Sequence, residues 1–456
     1  MTDIVSVNPA HPLLEIARMP ASSTQEVDEA ARRGAEAQRD WARLPASERG
    51  RALMAFADRL SSEAESLASL ICDEVGKPIG EARAEVVRSV DILRYYAGLA
   101  MLPDGETLPS STARGWLLSR RYPVGVIGMI TPWNFPLAIP TWKAAPALAY
   151  GNAVLLKPAS SAIGVARRFA AAAQESLPDG ILHMLTGERD VAEAIIDHAS
   201  VSAVSFTGST VVGRSVAARA GARGAAVQCE MGGQNPSVVL RDADMEQAAS
   251  TIATAITGYA GQKCTATSRV IVEDPLGDAF VDLLADRLKA LKVGDPALPG
   301  TEVGPLIDAA ARQSVLAAVA SSSGRTITGG TAVDGLEGFY VTPTLVDVSS
   351  SRDVLIEQEV FGPVAAVVRA RSREEALGLA NYGTYGLVAS VFTSDLEAAM
   401  TFCDELQVGM VKINAPTSGA DFHAPFGGSR ASALGPHEQG LAAREFFTQR
   451  RTLTLA

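Results

Sequence analysis

The sequence predicts an α/β fold built on parallel sheets. From residue 124 onward, short apolar runs that end in glycine, proline or polar residues alternate with helical stretches, and a second series of the same kind follows Gly232. Composition agrees: 47% apolar and 20% charged residues, with 40 glycines in 456 residues, suit a chain of two or three domains with a sizeable core.

The first 100 residues read as helices. Ser23 and Glu26 have the spacing of a capping box, and Leu53, Phe56, Ala57 and Leu60 fall on one helical face. Residues 122–142 carry no charge over a membrane-sized length, but Pro123, Pro132, Pro136 and Pro140 with Asn134 would break a spanning helix, so the run reads as strand and loop. The runs VGVIGMI, AVLL, AVSF and AVQC read as strands, with a helix over 162–175 among them. After Gly232 come PSVVL, a helix around 245–259, RVIV, a helix through 280–291, then PVAAVV and ASVF, which together suggest a second α/β domain. The tail RTLTLA alternates polar and apolar residues and could extend a sheet edge in this subunit or a neighbour.

A net charge of -11 gives no general basic footprint for nucleic acid or an anionic membrane. The N-terminal residues lack the basic and apolar regions of a signal peptide, which points to the cytoplasm. Cys72, Cys229, Cys264 and Cys403 are scattered without metal-ligand spacing, so neither a disulfide framework nor a metal site is expected.

Three stretches carry chemistry. SFTGSTVVG runs from an apolar strand into a glycine-rich turn, a context in which backbone N–H groups meet phosphate, although glycine also serves such turns for conformational reasons alone. LLKPAS places Lys157 at a strand end, as a ribose or phosphate ligand or as a surface cation. In AGQKCTATSR, Cys264 stands in a polar setting between Lys263 and Arg269, two cations that could lower its pKa, with no histidine near it in sequence; a lone cysteine also serves simply as a small buried hydrophobe.

With TPWNFPL, GNAVLLKPAS, FTGSTVVG, CEMGGQNP, GQKC, EVFGPV and PFGG in this order, the chain resembles the aldehyde dehydrogenase superfamily over nearly its whole length. The resemblance implies a Rossmann-type dinucleotide-binding domain over 1–106 and 124–230, a catalytic domain over 231–430, and an oligomerisation element over 107–123 and 447–456, with 431–446 returning to the cofactor domain. It makes Cys264 the nucleophile, Glu230 the general base that activates water, and the Asn134 amide with the Cys264 backbone N–H the oxyanion donors. It assigns NAD or NADP as cofactor, with Ile130, Trp133, Lys157 and Ser160 on the adenosine side, Gly208 and Ser209 under the pyrophosphate, and Glu359 and Phe361 at the nicotinamide ribose. Homodimers or homotetramers are usual in the family.

Departures from the family pattern are informative. Ser160 stands where many NAD-preferring members carry a ribose-binding glutamate, so NADP is expected to be accepted at least comparably with NAD. The stretch before Ser23 is short, which leaves the presence of the family's N-terminal strands open. Lys412 stands where a small or aromatic residue is expected. Trp142 replaces the arginine of succinate semialdehyde enzymes, and AIPTWK with NAPTSGADFHAPFGG looks most similar to α-ketoglutarate semialdehyde dehydrogenases. On that reading His423 donates to the substrate, with an ordinary loop histidine as the alternative, while Phe135 and Trp142 form an apolar wall equally suited to a benzaldehyde-like ring.

Overall fold

The computed structural model of the chain describes residues 3–111, 115–349 and 352–455, so Arg114 of the expected oligomerisation element lies outside the described residues. A six-stranded sheet is built mainly from the first apolar series. In spatial order its strands are Ala433–Leu434, Ala226–Glu230, Val201–Thr207, Val126–Ile130, Ala153–Lys157 and Leu182–Met184. All neighbours pair in parallel except Ala433–Leu434. Val126–Ile130 and Ala153–Lys157 are buried along their whole length, which is why they read as continuous apolar runs rather than alternating ones. From Val126–Ile130 the chain moves outward to Leu182–Met184, then returns to lay Val201–Thr207 on the other side of its starting strand. That reversal leaves a crevice beyond the carboxyl ends of the strands, where Ile130 and Thr207 sit.

A seven-stranded sheet follows, in the order Arg325–Thr328, Thr344–Asp347, Val364–Ala370, Thr267–Glu273, Asn235–Val239, Val388–Phe392 and Met410–Ile413. Only the Arg325–Thr328 pairing is antiparallel. Lys412 lies on its last strand, where a charged side chain discourages further strand pairing. The tail strand Thr448–Leu455 pairs antiparallel with Trp116–Pro123 of the same chain, which in turn pairs with Gly105–Leu108.

One open point is resolved and one expectation is corrected. Asp3–Val7 and Glu15–Pro20 form an antiparallel pair ahead of the Ser23 helix, so the short N-terminus does carry strands. Residues 122–142 are not strand and loop throughout, because Ala138–Ala149 is a helix. Pro140 falls in its first turn, where backbone N–H groups lack intrahelical partners, and so does not interrupt the ladder. Ser23 does cap the helix Thr24–Arg43 with Glu26 in a reciprocal box. Leu53, Phe56, Ala57 and Leu60 are fully buried on the helix Ala46–Ser62.

Candidate active site

The loop that carries Cys264 leaves the helix Met245–Thr257 through a sharp turn. Tyr259, Ala260 and Gly261 all take positive φ, at 50°, 52° and 70°. Only glycine fits the third position, since a Cβ there would lie 2.1 Å from the Gly362 carbonyl oxygen. Gln262 is buried and stitches the loop in place. Its Oε1 accepts the Ile307 N–H at 2.8 Å, its Nε2 donates to the Pro305 carbonyl at 3.2 Å, and its own carbonyl accepts Asn134 Nδ2 at 2.9 Å. The Cys264 carbonyl accepts Asn235 Nδ2 at 2.7 Å.

The half-buried thiol of Cys264 opens into a cavity of about 300 Å³. Asn134 lines the same cavity, and its second amide hydrogen is not taken up by Gln262. Trp133, Gly208, Ser209, Glu359 and Phe361 join them there. Ile139, Thr207 and Met231 also line it, which motif reading had not singled out. Phe361 has φ 55° and meets Trp133 edge-on at 5.7 Å. Glu359 accepts the Gly233 N–H at 3.1 Å and packs over Gly232, where a Cβ would lie 1.9 Å from its Oε2. Burial pushes the Glu359 carboxyl up to about 7.

The cations flanking Cys264 in sequence do not activate it, contrary to expectation. Lys263 is paired with Glu81 at 2.6 Å, and the Arg269 guanidinium donates to the carbonyls of Gln234, Leu379, Ala380 and Tyr382. Burial pushes the thiol well up, and the charges of Glu359, Glu230 and Glu438 push it the same way.

Glu230 ends its strand in a buried position outside the lining of the Cys264 cavity, and its Oε2 has no hydrogen-bond partner among the described residues. Its carboxyl is raised well above the usual range, first by burial and then by the like charge of Glu438; the Lys143 ammonium and the Gly428 N–H oppose the rise. Lys143 and Glu438 form a fully buried ion pair, and Lys143 Nζ also donates to Ser205 Oγ at 2.8 Å. Neither residue was singled out in the sequence, although Lys143 ends the AIPTWK stretch and a lone lysine in an otherwise apolar helix was a signal available there. Glu438 arrives by tertiary contact: its segment pairs back with Phe426, just after Ala433–Leu434 pairs with the strand of Glu230.

The three expected substrate residues lie elsewhere, and none of them lines the Cys264 cavity. Trp142 is buried, with Nε1 donating to Glu438 Oε2 at 2.7 Å and its ring 5.6 Å from that of Phe426. Phe135 packs near Tyr259 with Lys77 Nζ 3.9 Å from its ring centroid. His423 is exposed, edge-on to Phe422.

Ile130 and Lys157 line a second cavity, of about 370 Å³, together with Glu188. Val211 and Val212 of the helix Thr210–Ala222 face this cavity, while Gly208 and Ser209 just before that helix face the first. Ser160 reaches the second cavity through a hydrogen bond from its Oγ to Glu188 Oε1, at 2.5 Å. Among the described residues no group of three or more His, Cys, Asp or Glu could hold a metal ion, and no helix is long and apolar enough to cross a membrane.

The α-ketoglutaric semialdehyde dehydrogenase of Bacillus subtilis (strain 168) is 38% identical over 460 residues, covering 99% of this chain and 94% of that protein. The α-ketoglutarate semialdehyde dehydrogenase of Haloferax volcanii is 39% identical over 457 residues, covering 98% and 94%. The crystal structure of an NAD-dependent aldehyde dehydrogenase from Sinorhizobium meliloti superposes with a TM-score of 0.97 at 32% identity, covering 100% of this chain and 92% of that one. Residues 2–453 match the model of the aldehyde dehydrogenase family, and the chain belongs to that family.

Proposed function

We propose that the chain oxidises α-ketoglutarate semialdehyde, or a similar semialdehyde, to the carboxylate through a covalent intermediate on Cys264. The observation that carries this reading is the single cavity in which Cys264 and Asn134 meet Gly208, Glu359 and Phe361. The substrate assignment rests on the α-ketoglutarate semialdehyde dehydrogenases among its relatives.

The residues fit a nicotinamide dinucleotide. Gly208 leaves its backbone bare, because a Cβ there would lie 2.6 Å from the Phe206 ring. The helix that follows offers backbone N–H groups to a pyrophosphate, and the buried hydroxyls of Thr207 and Thr210 have no hydrogen-bond partner among the described residues. Glu359 and Phe361 would hold the nicotinamide end, and Ile130 and Lys157 the adenosine end. When bound, the dinucleotide accepts the hydride.

The chain's own residues supply the rest. The Cys264 thiol gives up its proton to solvent, the thiolate attacks the aldehyde carbon, and the resulting oxyanion takes hydrogen bonds from the free Asn134 N–H and the Cys264 backbone N–H; loss of hydride from this adduct leaves a thioester on the sulfur. Loss of one such donor typically costs about 2.7–4 kcal/mol of transition-state stabilisation. With its pKa raised and one oxygen unpartnered, Glu230 is matched to accept a proton from the water that hydrolyses the thioester. Lys143 and Glu438 set the field that Glu230 feels.

An aromatic aldehyde is the weaker reading, because neither Phe135 nor Trp142 lines the cavity and the Trp142 N–H is committed to Glu438. Steady-state kinetics on α-ketoglutarate semialdehyde, succinate semialdehyde and benzaldehyde test the assignment. The highest kcat/KM is expected for the first, and a highest value for benzaldehyde refutes it.

The domain limits given above and a homodimeric or homotetrameric state complete the proposal. The edge strand Thr448–Leu455 and the exposed Trp116 on the neighbouring strand support association through the three-stranded sheet. Light scattering on the purified protein reads the subunit number. The free cysteines support a reducing, cytoplasmic setting.

A further inference from the structure

We infer that Glu188 sets the dinucleotide specificity of this chain. From the residue before the helix Arg189–Asp197 it supplies the carboxylate that accepts the adenine ribose hydroxyls, selecting a free 2′-hydroxyl over a 2′-phosphate. The inference rests on the dinucleotide reading above and reverses the expectation drawn from Ser160.

The second cavity has the chemistry of an adenosine site. Ile130 and Lys157 are the last residues of adjacent parallel strands, at the carboxyl edge where such sheets bind ligands. Val211, Val212 and Val216 give it an apolar wall for a flat ring, and Lys157 and Glu188 give it a polar end.

Ser160 does not leave that end without an acid. Its hydroxyl donates to Glu188 Oε1 at 2.5 Å, so the serine orients a carboxylate contributed from 28 residues further along the chain. Glu188 Oε2 has no hydrogen-bond partner among the described residues and is available to ribose hydroxyls, since an ionised carboxylate only accepts. A 2′-phosphate placed there would set a dianion against this carboxylate. The lining cations give it little relief: Arg189 is paired with Glu193 at 2.7 Å, and Arg219 with Glu193 at 3.1 Å and Asp197 at 2.5 Å. Lys157 alone of the three lining cations has no ion pair among the described residues, and it is buried.

The test measures equilibrium binding of NAD+ and NADP+ to the full chain by tryptophan fluorescence, without aldehyde, for the wild type, Glu188→Gln and Glu188→Arg. Glu188 is exposed, so neither substitution disturbs the core, and thermal melts check the fold. The wild type is expected to bind NAD+ at least about tenfold more tightly than NADP+, a difference of ~1.4 kcal/mol. Glu188→Gln is expected to shrink the NADP+/NAD+ ratio of Kd by about tenfold, and Glu188→Arg to invert the preference. Equal affinities in the wild type, or a ratio unchanged in Glu188→Gln, overturn the role of Glu188 and leave the dehydrogenase reading intact. Failure of the wild type to bind either dinucleotide overturns both.

Discussion

Replacing Gly261 by alanine should disable the enzyme without unfolding it, and the size of the effect follows from one contact. The new Cβ would lie 2.1 Å from the Gly362 carbonyl oxygen, whereas real Cβ atoms essentially never approach closer than 3.0 Å, so roughly 0.9 Å of movement is required. At φ 70° the alanine also pays about 1–2 kcal/mol for a left-handed backbone. The displacement has two directions open to it, and both damage the site. If the Gly261 loop recedes, Cys264 moves with it, three residues on; if residues 359–363 recede, Glu359 and Phe361 leave the cavity. A misplacement of about 1 Å at a reacting centre costs on the order of 10²-fold in rate. The assay compares kcat/KM and the pre-steady-state burst of Gly261→Ala with the wild type, with circular dichroism to confirm the fold. Gly378→Ala, where no atom lies within 4 Å of the added Cβ, serves as control and should retain activity. A Gly261→Ala enzyme within about threefold of wild-type kcat/KM would refute the reasoning.

The remaining predictions concern the three charged or nucleophilic centres. Cys264→Ala should lose aldehyde oxidation yet still bind dinucleotide, whereas Glu230→Gln should reduce one equivalent of cofactor in a burst and then stall at the thioester; steady wild-type turnover in either excludes the assigned role. Because burial and three carboxylates push the Cys264 thiol up, inactivation of the dinucleotide-free enzyme by iodoacetamide should rise about tenfold per pH unit from pH 6 to 8.5. A plateau near neutrality would contradict this. Glu230 acts ionised, so turnover falls as pH drops through its raised pKa. Glu438→Gln removes a like charge and leaves Lys143 in place, so that acidic limb should move to lower pH, as a pH profile of kcat would register; a limb that stays or moves up would dismiss the coupling.

Periodicity and local motifs made the sheets and the main helices legible, because each depends on a few neighbouring residues, and the motif order drew attention to Cys264, Asn134 and Glu230. A continuous apolar run such as Val126–Ile130 can satisfy its backbone only inside a covered parallel sheet, and the Ser23 and Glu26 spacing caps a helix wherever it occurs. The N-terminal strand pair was not legible. Its register depends on pairing across residues 8–14, and its strands are short.

What surrounds the reacting groups was settled by contacts distant in sequence. The sequence sets Lys263 and Arg269 beside Cys264, but the fold turns one toward Glu81 and the other into a ring of carbonyls, leaving the thiol among carboxylates. Trp142 reads as a substrate wall until Glu438, 296 residues away, takes its N–H. Ser160 reads as a missing acid until Glu188 is seen bonded to it. Residue type and spacing determine which groups the chain carries and where the backbone can turn. Charge, proton affinity and ligand preference depend on distances through space, and only the packed tertiary structure fixes those.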